Sequence, residues 1–190
     1  NFTQPYFPAR STRSLINLTI GQDDESTYVD DFVRVIPRVE WRVAPNVDVN
    51  FSILGSYDSL SSVSDASRQA LPGFVSSGFT VAPGAGIRWI KVDDSINPTK
   101  GFAVSFATDV ANNSLGSDFD WYRLYADSRT YVPVYGDLVA STRLSAGTIA
   151  PYGSTTQIQF WDRFYAGGTG INPVRGYGRP VLLIMLLAAC

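Results

Sequence analysis

Between Phe32 and Val43 the chain alternates without a break. Val33, Val35, Pro37, Val39, Trp41 and Val43 hold one parity, and Arg34, Ile36, Arg38, Glu40 and Arg42 hold the other. Successive strand side chains point to opposite faces, so this run is a strand with one greasy face and one charged face. A soluble sandwich shows the same alternation with its charges in water. Length favours a membrane wall. An ordinary strand has about 5–6 residues, about 9–11 cross a bilayer at a tilt, and this run has twelve.

The period recurs along the chain. Val47, Val49, Phe51 and Ile53 oppose Asp48, Asn50 and Ser52; Phe102, Val104, Phe106 and Val110 oppose Ala103, Ser105, Ala107 and Asp109. Over 119–132, Tyr122, Leu124, Ala126 and Val132 oppose Arg123, Asp127 and Arg129. Over 137–149, Leu138, Ala140, Leu144 and Ala146 oppose Ser141, Arg143 and Ser145. Weaker runs at 14–20 and 84–93 bring the expected strands to seven, and no segment carries a helical period.

The connections alternate as well. Ala44-Pro45-Asn46, the stretch 97–101 and Pro133 to Gly136 are short turns. The acidic stretch 21–31, the Ser-, Gly- and Asp-rich stretch 58–80, the stretch 112–118 and the segment opening near 150 read as long loops. Short turns at one end and long loops at the other mark an up-and-down outer-membrane barrel. The expected fold class is therefore all-β, an antiparallel transmembrane barrel. Seven strands cannot close one, because bacterial single-chain barrels have an even number from about 8 upward and an open edge in lipid leaves backbone groups unpaired. A chain that opens at Asn1, with neither Met nor a signal peptide, fits the same expectation: a piece of a larger sheet.

Composition agrees and narrows the chemistry. Thirteen Arg stand against two Lys, and fifteen Asp against two Glu, so strong helix formers are scarce. A net charge of −2 is too near neutral for a nucleic-acid binder. The absence of His and the single Cys190 exclude His-based triads, His–zinc sites and an internal disulfide. An enzyme is the least favoured class, and neither a cofactor nor a metal is expected. Asp23-Asp24-Glu25, Asp30-Asp31 and Asp93-Asp94 read as solvated loop charges rather than a cation site. The polar-parity charges Arg34, Arg38, Glu40, Arg42, Arg123, Asp127, Arg129 and Arg143 are read as wall charges. They either polarise a pore or pair with one another, and pairing is preferred.

Past residue 155 the alternation stops at a glycine-rich segment, 160–178, that contains Arg163-Phe164-Tyr165-Ala166-Gly167-Gly168 and Val174-Arg175-Gly176-Tyr177. Arg175 is its one charge between Arg163 and Arg179. On residues alone it is a solvated loop arginine or, if the loop folds inward, one needing a carboxylate partner. The paired G-G and V-R-G-Y elements at this spacing resemble the signature of the bacterial surface antigen family of outer-membrane assembly barrels, the BamA/TamA superfamily. The phrases Asn97 to Phe102, Leu115 to Asp118 and Tyr131 to Val134 also resemble that family, and the spelling is closest to its TamA branch.

The resemblance implies a sixteen-stranded barrel preceded by POTRA domains, in the bacterial outer membrane, that inserts client β-barrel proteins and autotransporters without a cofactor. It implies outer-membrane lipid and lipopolysaccharide as surroundings and an inner-membrane or lipoprotein subunit as a further partner. It also implies that the loop bearing Gly167, Gly168, Val174, Arg175, Gly176 and Tyr177 tucks into the lumen, with Arg175 on an acidic wall residue. Residues 1–178 are then one partial barrel domain. Residues 179–190, with nine apolar residues in a row, depart from the family and read as a truncated or frame-shifted end. The alternatives are a two-partner secretion translocator or passive channel on the same wall, and a soluble β-sandwich binding module.

Overall fold

The alternating runs all become strands. The computed structural model describes residues 1–5, 7–9, 11–25, 28–63, 75–166 and 181–182. Eight strands form one antiparallel sheet in chain order: β1 (Phe2–Pro5), β2 (Thr12–Glu25), β3 (Tyr28–Ala44), β4 (Val47–Ser61), β5 (Ser77–Val92), β6 (Gly101–Ala111), β7 (Trp121–Tyr135) and β8 (Leu138–Pro151). Neighbours in sequence are neighbours in space, which is the up-and-down arrangement, and the described sheet does not close on itself. Apart stands a two-residue pairing of β9 (Tyr165–Ala166) with β10 (Val181–Leu182), which places the start of the apolar tail beside the end of the post-β8 connection.

The sheet has eight strands, not the expected seven. The additional one, β1, is Phe-Thr-Gln-Pro, exposed at every residue and paired to the edge of β2 from Phe2↔Ile16 to Pro5↔Arg13. Four residues with a single large apolar side chain carry no readable period. A second correction concerns the acidic stretch 21–31. It is a hairpin rather than a loop: Asp23 pairs with Asp30, Asp24 with Val29 and Glu25 with Tyr28, and Gln22 donates to Asp31 across the ladder at 2.7 Å. Residues that are polar on both faces conceal a strand, because no apolar parity marks it. For the same reason β4 runs on to Ser61 and β5 begins at Ser77, so Asp58 and Thr80 belong to strands and are fully buried.

The turns shift by a few residues. β7 runs past Pro133 to Tyr135 with a register irregularity, leaving Gly136 and Asp137 as the turn, with Gly136 at φ +53°. Between β6 and β7, Asn112 caps a short 3-10 turn by accepting from the Ser114 amide, and Gly116 closes it in the left-handed region. The strand that follows starts at Trp121 rather than 119, because Phe119 turns in over β5. A Cβ on Gly78 would lie 2.3 Å from the Phe119 ring, so only glycine admits this approach.

The two faces differ sharply. Ile16, Leu18, Ile20, Phe51, Ile53 and Leu144 point to the outer face and lie open. The buried apolar cluster, Ala82, Ala111, Phe119 and Trp121, sits on the opposite, inner face at the long-loop end, with Leu54, Ile149, Ile158 and Trp161 packed against it. A water-soluble sheet of this length would bury its aliphatic face, whereas this one leaves that face open and buries Asp30 and Asp58 on the other.

Candidate functional site

Strand parity delivers the inner-face charges, and register decides which of them meet. Arg42 and Arg88 both hold Asp48, at 3.1 and 3.2 Å, where β3, β4 and β5 lie side by side. Glu40 holds Arg13 of β2 directly across the ladder. Asp127 of β7 is shared by Arg143 at 2.7 Å and Arg129 at 3.2 Å, and the Ser145 hydroxyl donates to it as well. Arg38 is exposed and has no ion pair among the described residues.

Toward the long-loop end the pairs sink deeper. Arg34 donates to Asp58 at 2.7 Å and lies 4.0 Å from Asp30, with its guanidinium 4.2 Å over the Phe32 ring. Asp58 is closed off from solvent and takes a second bond from the Ser56 hydroxyl. Arg123 gives both Nε and Nη2 to one oxygen of Asp109, at 3.0 and 2.9 Å. Asp109 lies across β5 over Gly84, where a Cβ would meet its carboxylate at 2.2 Å. Gly84 and Gly86, which superficially suggest a nucleotide loop, are strand residues that clear space for side chains.

Onto this wall folds the connection after β8. Trp161 meets Phe119 edge-on at 5.9 Å. Phe164 stacks on Tyr125 at 6.3 Å and rests on Gly147, where a Cβ would stand 2.9 Å from its ring. Arg163 turns back across the short 3-10 segment Phe160–Asp162 and donates twice to the Ile158 carbonyl. Asp162 is carried inward among the wall arginines; burial, the largest influence, pushes its pKa up to about 7 against the pull of Arg123 and Arg34. Where the connection leaves β8, Asp120 accepts from the Asn113 and Ser154 amides and the Ser154 hydroxyl, tying two loops together. The Asn113 amide holds the Asp120 carboxyl below its ordinary value.

Of the expected site residues, the eight wall charges lie on the inner face. Gly167, Gly168, Val174, Arg175, Gly176 and Tyr177 lie outside the described residues. Asp58, Asp109, Trp121, Trp161, Asp162 and Phe164 join the wall charges in the structure without being among the expected site residues. Asp109 and Trp121 were visible in the inward parity, whereas Asp58 was hidden in a presumed loop and nothing marked the docking of the segment 161–164.

The model of the Omp85 superfamily domain matches residues 1–180. The chain belongs to the Omp85 superfamily. Among solved structures it is similar to BamA from Haemophilus ducreyi lacking POTRA domains 1–3. The TM-score is 0.74 at 17% identity, over 88% of this chain and 35% of that one. The Omp85 chain described here thus spans about a third of the length of the solved relative it matches. At that identity the likeness speaks for the fold: an antiparallel, up-and-down part of a β-barrel, with β1 to β8 in consecutive order.

Proposed function

We propose that this chain is barrel wall of an outer-membrane protein assembly factor, which helps insert β-barrel proteins and autotransporters into the outer membrane without a cofactor, in the manner of the TamA branch. One observation carries the reading. In an Omp85 domain whose outer face is open aliphatic surface, the connection leading into the signature segment packs on the charged inner face. Residues 1–178 form the partial barrel, lipid and lipopolysaccharide surround it, and an inner-membrane or lipoprotein subunit completes the machine. Gly167 and Gly168 let the backbone fold close. Val174, Arg175, Gly176 and Tyr177 form the element that reaches the wall, with Arg175 on a carboxylate. Strand geometry supports the membrane placement: the 17 residues of β3 extend about 58 Å at about 3.4 Å each, more than a tilted crossing of an about 30 Å hydrocarbon core requires.

The test replaces Arg175 by Ala in the full-length protein. The opposing carboxylate is then left unsatisfied, at about 1–3 kcal/mol. Heat-modifiable mobility and the delivery of client barrels to the outer membrane are both expected to fall. Unchanged mobility and delivery would remove Arg175 from this role. Deletion of the gene separates the readings of the whole protein: loss of several barrels and autotransporters supports assembly, whereas loss of one secreted exoprotein with all barrels intact identifies a translocator.

A further inference from the structure

The segment that docks on the inner wall carries a carboxyl group out of water. Asp162 is 6% exposed, and among the described residues its Oδ2 is buried without a hydrogen bond, although the Trp121 indole, likewise unpaired, acts on the carboxyl. The charged groups that act on it are Arg123 on β7, Asp58 on β4 and Arg34 on β3; behind them stand Asp109, paired to Arg123, and Asp30, 4.0 Å from Arg34, with Asp23 of β2 beyond Asp30. From its own segment comes Arg163, which is turned to the Ile158 carbonyl. The inner positions of β5 and β8 at this level, Gly78, Thr80, Ala82, Gly147 and Ile149, carry no ionisable side chain. Arg34 is already committed to Asp58 and Arg123 to Asp109, so among the described residues no wall arginine forms an ion pair with Asp162. An ionised carboxylate here would be closed off from water without an ion pair of its own among the described residues, the condition under which a buried acid keeps its proton. No three His, Cys, Asp or Glu side chains among the described residues are placed to hold a metal ion in its stead.

We propose that the post-β8 connection seats on the inner wall with Asp162 as a neutral carboxylic acid, so that seating takes up one proton and release returns it. The wall is then a proton-coupled seat for the root of the signature segment. The pKa of the seated carboxyl points the same way. Burial acts most, Arg123 pulls the pKa down, Asp58 pushes it up, Arg34 and the Trp121 indole pull it down, and the result is about 7 against 3.8 for an ordinary carboxyl. Between those two values the seated state holds a proton that the released state lacks, so seating weakens as pH rises, by at most about tenfold per unit. Below about 4 and above about 7 the dependence flattens.

The inference rests on the inner face being the watery inside of a barrel, and the experiment separates the two. In the full-length protein in nanodiscs, 5-fluorotryptophan is placed at position 161, and its 19F signal is followed through urea titrations at pH 5 and pH 7.5. Release is expected at lower urea at pH 7.5, with a seating constant roughly 70-fold smaller. Asp162→Asn, an isosteric neutral side chain, is expected to remove the difference. Asp58→Asn, which frees Arg34 for Asp162, is expected to narrow it. A native difference below about twofold, or an Asp162→Asn variant that keeps the native difference, overturns the proton-coupled seat. Broadening of the 161 signal by a doxyl lipid, but not by a soluble gadolinium chelate, overturns the inner-face reading instead.

Discussion

Asp93 shows how a single carboxylate closes a turn here. Its oxygens accept from the amides of Thr99 and Lys100 and from the Thr99 hydroxyl, and Asp94 accepts from the amides of Ile96 and Asn97. The pair that a motif search weighs as a cation site is thus occupied by the turn's own donors. The Thr99 hydroxyl and the Lys100 amide hold the Asp93 carboxyl well below the usual carboxylate range. A carboxyl depressed by folding contributes stability above its ordinary pKa, and that contribution is lost as pH falls toward the depressed value. Below about pH 4 the turn between β5 and β6 is therefore expected to loosen first. Amide exchange at Thr99 and Lys100 reads it: protection should fall with acid in the native protein and be low at every pH in Asp93→Asn. Protection that survives acid unchanged would deny Asp93 this part.

At the scale of elements, what the sequence discloses depends on whether one face is apolar. The seven long strands are legible because apolar residues, valines and aromatics in the clearest and Ile, Leu or Ala in the others, mark one parity. The tip of the β2–β3 hairpin is not, since Gln22, Asp23, Asp30 and Asp31 are polar on both faces and only cross-strand pairing makes them a strand. The inner wall was legible in the same partial way. Parity placed Arg34 and Arg123 inward, but their partners Asp58 and Asp109 follow from register, and Asp58 sits in a stretch without aliphatic alternation. Docking of the segment 161–164 on the wall carries no sequence signal, because it depends on a groove made by distant glycines. Gly147 supplies a testable part of that groove. Gly147→Val suits a strand by propensity yet drives a methyl group into the Phe164 ring. The stacking on Tyr125 should be lost at an overpacking cost of about 1–3 kcal/mol, seen as new protease cleavage near residues 156–166 with β8 still protected. An uncleaved variant of native stability would show that Phe164 does not hold the connection.

For the whole molecule, the decisive property is which face meets which solvent, and two adjacent residues of β4 put it to the test. Ser52 points to the inner face directly opposite the unpaired Arg38, and Ile53 points outward and lies half exposed. In a barrel wall the same acidic side chain must have opposite effects at the two positions. Ser52→Glu gains a cross-strand partner, a stabilisation of about 0.2–1 kcal/mol. Ile53→Glu places a carboxylate against lipid, a destabilisation smaller than the about 2–4 kcal/mol of a midplane arginine and opposite in sign to the effect of Ser52→Glu. In a soluble sandwich the order differs: Ile53 is then a surface residue whose replacement by Glu aids solubility, and both variants fold in plain buffer. Urea-dependent folding of the full-length protein into lipid vesicles measures the difference. Ser52→Glu at or above native stability with Ile53→Glu clearly below it is the barrel result. Equal stabilities, or folding of both variants without lipid, would return the chain to the sandwich. The contrast works because the register that pairs Ser52 with Arg38 also turns Ile53 away from every charge on the wall.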